Sequence, residues 1–486
     1  MQLNNFASIL LFSTVVSAVS QEQYNYGSPG KQVGTVYPCL VNCTSSFEEC
    51  NEVCGYNVNT VLSYDIGTKY QQFKGFGTSL AWFAYVQGNT SNPYRDQVAD
   101  LIFDVETGLG LNVGRFLIEG GENPELDFVQ FRDTIPSYEP LPGEWNWNAD
   151  PFQLWFAQAA VQRGAQYIEG FTNSPPYWMT LSNSSTGNFN GSLDNLNSSY
   201  FSDFIEYMVG ATQHFATEWG IPLYALELFN EPASTWWVYG NDQEGCHFSL
   251  GQQEILIPML HQQLEKSGLN TRIASSDDNS IDESVSTMES LESSGVLSQV
   301  SIMASHTYSG TERSTLLSLS KQYNKDLWAS EYGDGDTTGL ETAAEIILDL
   351  REMQPTVWCY WQAIDTSGSG WGPLEAELNT PGAFAFNVTS KYYVWRQFTS
   401  YLRPDSTFID IDNDNSLAAI NSSGNLVIVT MNFGTNSIPL NGRKVVSAHL
   451  TVPWDGLYFE DVTDLYQGNE LSFTLPVGGV ISFELQ

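Results

Sequence analysis

Residues 225–237 read ALELFNEPASTWW, an apolar run that stops at Asn230-Glu231-Pro232 and is followed by two tryptophans. A run so short and so apolar reads as a buried strand. A carboxylate at the end of such a strand is costly unless that end opens onto a cleft.

Seven other stretches share the pattern: QFKGFGTSL (72–80), NVGRFLIEGG (112–121), YIEGFTNSPP (167–176), TRIASSDD (271–278), VSIMASHTY (300–308), LWASEYGDGD (327–336) and VWCYWQAID (357–365). Helical stretches lie between several of them, among them FSDFIEYMVGATQHFATEWG (201–220) and ETAAEIILDLREM (341–353), with apolar positions recurring at three and four residues. Eight short strands alternating with helices describe an α/β chain, a (β/α)8 TIM barrel. After about Arg403 the texture changes to LAAINSSGNLVIVTMNFG, KVVSAHLTVPW and ELSFTLPVGGVISFEL, short alternating runs broken by turn residues. That is an appended antiparallel β-sandwich domain, and TVLSYDI (60–66) is a candidate to join it. The expected division is a signal peptide over 1–20, a disulfide-stapled segment over 21–57, strands of the side β-domain over 58–72, the barrel over 73–400 and the sandwich over 401–486.

The opening MQLNNFASILLFSTVVSAVS has an apolar stretch ending in small residues, as a secretory signal does, although it lacks the usual Lys or Arg. No later stretch reaches the ~20 apolar residues of a membrane span. Sequons begin at Asn42, Asn89, Asn183, Asn190, Asn197, Asn387 and Asn421, in keeping with export. Cys39 and Cys43 are four apart, as are Cys50 and Cys54, so each pair falls on one face of a short helix. Two such helices packed antiparallel pair Cys39 with Cys54 and Cys43 with Cys50, and an oxidising compartment favours this over a metal site. Cys246 and Cys359 fit either a third bridge or two buried thiols. The chain is expected to be secreted and extracellular, and to act as a monomer.

Lys plus Arg total 18 against 56 Asp plus Glu, a formal net charge of -38. That balance repels phosphate backbones and anionic membranes, so neither nucleic acid nor a membrane is expected as a partner. No glycine-rich phosphate motif is evident, and the expectation is no cofactor and no metal. Asp334-Gly335-Asp336 has acidic spacing but reads as a turn.

Catalytic groups of a barrel sit at the carboxyl ends of its strands. Glu231 closes the fourth strand and Glu331 the seventh. Two carboxyls converging on one cleft divide acid and base work, because repulsion and burial push their pKa values apart. Hydrolysis of a glycosidic bond needs that pair. Aromatic residues crowd the other strand ends at Trp82, Trp178, Trp236, Trp237, Tyr308, Trp361 and Trp371, and suit the apolar faces of sugar rings. The expected partner is a polysaccharide or oligosaccharide substrate.

NEP closing the fourth strand and SEYG closing the seventh resemble the retaining glycosidases of the (β/α)8-barrel clan. FKGFGTSLAWF, VGRFLIEGG, TNSPPYWMT, SHTYSG and KYYVWRQFTSYLRPDS resemble glycoside hydrolase family 30 from about Phe73 to the C-terminus. FNEPASTWW with QEGCHF is most similar to its fungal endo-β-1,6-galactanases. The resemblance implies Glu331 as nucleophile and Glu231 as acid/base, with the two carboxyls ~5 Å apart for retention. It implies Asn230 on the sugar 2-hydroxyl, Arg115 beneath the nucleophile and lowering its pKa, and Tyr308 donating to Glu331. His306 belongs nearby, with Trp361 as the floor for the non-reducing sugar. Bacterial glucuronoxylanases of the family hold a uronate with an arginine after the eighth strand; here no Lys or Arg occurs between Arg351 and Lys391, although Arg132 offers another direction. A β-1,6-glucanase, a xylanase, a catalytically silent carbohydrate-binding protein and a structural wall glycoprotein remain alternatives.

Overall fold

A computed structural model describes residues 59–380 and 385–486. Eight strands close a barrel: β1 (Gly75–Ser79), β2 (Val113–Leu117), β3 (Tyr167–Phe171), β4 (Ala225–Glu227), β5 (Arg272–Asp278), β6 (Ile302–His306), β7 (Asp326–Tyr332) and β8 (Val357–Gln362). All neighbours are parallel, and β8 pairs with β1 to complete the ring. The sequence pattern thus locates all eight strands.

Parallel strands need crossovers, supplied by α1 (Ala81–Gly88), α2 (Asn92–Phe103), α3 (Pro151–Gln162), α4 (Phe201–Thr217), α5 (Leu250–Ser267), α6 (Ile281–Ser293), α7 (Arg313–Tyr323) and α8 (Leu340–Glu352). Local chemistry fixes several of their ends. Ser280 accepts from the Glu283 amide at 3.3 Å while its hydroxyl donates to the Glu283 carboxylate at 3.0 Å, an N-cap that starts α6. Gly268, with φ +66°, closes α5. No helix among the described residues is long and apolar enough to cross a membrane.

Side chains along each strand alternate inward and outward. The inward positions of the barrel form a packed apolar layer at its amino end, built from Val113, Ala225, Ala274, Ile302, Trp328, Val357 and Cys359. Two residues further along, the same alternation turns polar groups inward: Arg115 on β2, Glu169 on β3 and Glu227 on β4, all buried. His306 of β6 and Trp361 of β8 follow at the carboxyl end. An apolar plug below a charged layer is what allows ionisable groups to sit in the barrel without reaching its far end.

The side domain is two-layered. A seven-stranded sheet runs in the order 457–461, 445–452, 480–485, 426–430, 416–420, 407–411, 64–72. A three-stranded sheet of 59–61, 434–438 and 471–475 faces it across a core that includes Leu62, Ile428, Phe473 and Phe483. Residues 59–72 therefore enter both layers. Helix α9 (Ser390–Thr399) docks this domain on the barrel, where the Gln397 carbonyl accepts from Ser482 at 2.9 Å. Cys246 and Cys359 are buried free thiols, which decides that alternative. Cys39, Cys43, Cys50, Cys54, Asn42 and the apolar opening segment lie outside the described residues.

Candidate active site

Four residues past the end of β4, Glu231 adopts φ +50°, and its amide donates to the Asp277 carbonyl at 2.8 Å. The indole N–H of buried Trp237 donates to the Glu231 carbonyl at 3.1 Å. Held from both sides, the Glu231 carboxylate accepts from Asn279 at 2.6 Å and from His306 Nδ1 at 3.3 Å. Glu331 comes from β7, where a register shift against β6 sets it opposite His306. Arg115 Nη1 donates to its Oε2 at 2.7 Å and the Tyr308 hydroxyl to its Oε1 at 2.9 Å. His306 Nδ1 also lies 3.6 Å from Glu331 Oε1. One oxygen of each glutamate and a ring nitrogen of His306 fall within 4.8 Å of one another.

Arg115 organises the layer beneath. It reaches Glu169 at 3.0 Å, Ser79 at 3.0 Å and Asp277 at 2.5 Å, with its guanidinium over the Phe171 ring. Asp277, also fully buried, takes the Ser330 hydroxyl at 2.5 Å and lies 3.8 Å from His306 Nε2. One aspartate therefore touches the groups that support both glutamates.

Burial strongly opposes charge on His306, but Glu331, Asp277 and Glu231 around it push its pKa up to about 10. Burial holds the Glu331 carboxyl above its ordinary range, with His306 and Arg115 only partly offsetting that. Arg115 acts on Glu331 in the expected direction, lowering its pKa, but burial outweighs it. Despite burial, Arg115 and His306 keep Asp277 below the ordinary range. Burial raises Glu169 to about 7 and places Glu227 well above its usual value.

Among the described residues, Glu231, His306 and Glu331 form the group whose spacing suits a metal ion. A His306 that donates to Glu231 and carries a pKa of about 10 offers a proton there rather than a lone pair. Asp334 and Asp336 are otherwise engaged: Asp334 pairs with Lys391 at 2.8 Å, and Asp336 accepts from the Thr338, Leu340 and Glu341 amides at the start of α8.

The remaining sequence candidates divide. Asn230 is buried beside Glu231, and its side-chain oxygen has no hydrogen-bond partner. Trp82 meets Trp361 edge to face at 5.0 Å, and both retain a sliver of exposed surface. Arg132 stacks on Trp82 at 4.5 Å while donating to Thr366 at 3.0 Å. Trp371 stands 6.3 Å from Tyr308. Trp236 is 45% exposed. Trp178 is engaged elsewhere, its N–H on the Glu139 carbonyl at 3.0 Å and its ring against Tyr200. A cavity of about 620 Å³ between the loop after β2 and Tyr177 is lined by neither Glu231 nor Glu331, which meet instead at the carboxyl end of the barrel. Sequence reading missed Asp277, Asn279 and Glu169, although the polar run SSDDNS at a strand end was a visible signal.

A profile of O-glycosyl hydrolase family 30 matches residues 59–324. An endo-β-1,6-galactanase of Hypocrea rufa is 33% identical over 467 residues, covering 88% of this chain and 95% of the relative. Among solved structures, a conserved exported protein from Bacteroides fragilis superposes with a TM-score of 0.77 at 21% identity, covering 87% of this chain and 100% of that one. The catalytic domain of xylanase C from Talaromyces cellulolyticus gives 0.69 at 22%, covering 88% and 100%. The two structural likenesses bear on the fold.

Proposed function

The chain belongs to O-glycosyl hydrolase family 30, and from that premise we propose that it cleaves β-1,6-galactosidic linkages in galactan and arabinogalactan side chains with retention of configuration. The observation that carries the mechanism is the approach of Glu231 and Glu331 to within 4.8 Å. That spacing leaves no room for a water between carboxylate and sugar, as inversion requires, and suits direct attack.

Glu331, oriented by Arg115 and Tyr308, attacks the anomeric carbon. The glycosidic C–O bond breaks as Glu231 passes its proton to the leaving oxygen. A water then enters on the Glu231 side, loses a proton to it, and displaces Glu331 from the anomeric carbon, restoring both groups. His306, charged and in contact with both carboxylates, stabilises negative charge as it moves between them. The Asn230 amide takes the sugar 2-hydroxyl, and Trp361 with Trp82 supports the glycone ring. The galactan assignment is supported by the Hypocrea rufa relative, which aligns along nearly its whole length.

The test is hydrolysis of β-1,6-galacto-oligosaccharides beside β-1,6-gluco- and xylo-oligosaccharides, with the first product's anomer read by proton NMR. The galactan series should yield the β-anomer first, and Glu331→Gln should lower kcat by roughly four orders of magnitude. An α-anomer would refute retention, and cleavage of only the glucan or xylan series would refute the substrate.

The same reading makes the protein a secreted glycoprotein acting as a monomer on a neutral polymer. Exposed sequons at Asn89, Asn183, Asn190 and Asn387 support it, and a secreted product that loses no mass on enzymatic deglycosylation would count against it.

A further inference from the structure

The loops after β3 and β4 are laced together beside Glu231. A side chain at Gly191 would stand 1.9 Å from the Thr235 carbonyl, and one at Gly187 would stand 2.2 Å from the Trp237 backbone. Glycine at both positions lets the two backbones touch. The Tyr239 amide donates to the Asn188 carbonyl at 2.9 Å and the Gly240 amide to the Thr186 hydroxyl at 3.1 Å.

This close seam leaves large rings on its outer side. Phe189 is 70% exposed. It lies 4.7 Å from Tyr239, which lies 5.0 Å from Phe128 of the loop after β2. Trp236, 45% exposed and 5.9 Å from Trp237, lies on the same loop as Tyr239, between it and Glu231 in sequence. An exposed ring backed by the half-buried rings of Tyr239 and Phe128 is held in place, and such a cluster marks a binding surface more often than a scattered apolar residue does.

We propose that Phe189, Tyr239 and Phe128, with Trp236 of the same loop as Tyr239, form a binding site for the leaving-group side of a neutral polysaccharide. The assignment rests on the hydrolase reading above. The acid/base carboxyl marks the side on which the leaving sugar departs, and Trp237 ties this seam directly to Glu231. Of the glycone supports, Trp361 comes from β8, opposite β4 in the ring, while Trp82 opens α1 and meets Arg132 of the loop after β2. Segments 120–131, 183–194 and 232–245 carry six acidic residues and no Lys or Arg. Polyanions are therefore repelled, whereas uncharged pyranose faces can stack on the rings.

The test compares Phe189→Ala and Tyr239→Ala with the parent on polymeric β-1,6-galactan and on an aryl β-galactobioside whose leaving group is a nitrophenol. The ratio of kcat/KM on polymer to that on the aryl substrate should fall roughly five-fold or more through KM. Leu465→Ala, an exposed residue of the side domain, should leave that ratio unchanged. Retardation of Glu331→Gln in gels containing β-1,6-galactan should likewise weaken when Phe189→Ala is added. An unchanged ratio and unchanged retardation would overturn the site, as would loss of the ratio change after the glycan at Asn190 is removed, which would make that glycan the occupant. Weakened retardation on β-1,6-glucan or xylan, with none on galactan, would keep the site while refuting the galactan assignment.

Discussion

Asp277 lies where the supports of Glu231 and Glu331 meet. Its carboxylate holds Arg115 and faces His306, and its carbonyl receives the Glu231 amide. Asp277→Asn keeps the shape and the carbonyl while removing the charge. His306 then loses one of three anions that sustain its imidazolium, so its pKa falls from about 10 and its charge is lost at lower pH. The variant should lower kcat by about 10–100-fold with KM nearly unchanged, and move the basic limb of the kcat profile down by about one pH unit. A lower kcat with an unmoved profile would make Asp277 merely structural. At this scale the sequence shows Glu231 and Glu331 because each terminates an apolar strand in a distinctive motif. Asp277 ends a strand too, but its importance depends on Arg115, His306 and Ser330 arriving from three other strands, which no local pattern records.

The loop after β7 illustrates how elements are fixed to one another. Lys391, at the start of α9, buries its ammonium among the Asp334 carboxylate at 2.8 Å, the Asp334 carbonyl at 2.8 Å, the Tyr360 hydroxyl at 2.8 Å and the Gly370 carbonyl at 2.9 Å. One side chain thus joins α9, the loop after β7 and the segment after β8, with Trp371 packed over Gly333 beside it. Lys391→Ala leaves Asp334 and several carbonyls without their donor, and should destabilise the protein by about 3–5 kcal/mol in urea unfolding. A loss below about 1 kcal/mol would mean that water replaces the ammonium at little cost. Strands and most helices were legible in the sequence because barrel strands are short, mainly apolar and separated by amphipathic helices. Asp334-Gly335-Asp336 reads as a turn in the sequence, but nothing local shows that Asp334 is held by Lys391, which lies on a helix beyond β8.

Among the described residues, buried carboxyls whose pKa is raised by burial outnumber the buried Arg and Lys side chains. Burial raises Asp133 to about 8, Asp278 to about 7, Glu169 to about 7 and Asp150 to about 6, against the partial relief of neighbouring donors or arginines. A carboxyl whose pKa is raised in the folded state binds its proton more tightly there than in the unfolded chain. Its contribution to stability is therefore complete below the ordinary carboxylate range and is lost as pH rises through the folded value. Summed over these groups, stability should decline between about pH 4 and 8. His306 adds loss in the same direction from its ordinary value toward about 10. The formal charge of -38 adds surface repulsion over the same range. At the acid end, Asp277 and Asp336 lie below the ordinary range and lose their contribution on protonation, which closes the window from below. Tm should therefore peak near pH 4–5 and drop by several degrees by pH 8. Salt separates the two causes, since about 0.5 M NaCl screens exposed repulsion and leaves buried protonation untouched. If buried carboxyls dominate, the decline persists in salt and Asp133→Asn flattens it; a decline abolished by salt would place the whole effect on the surface, and a Tm rising toward pH 8 would contradict both.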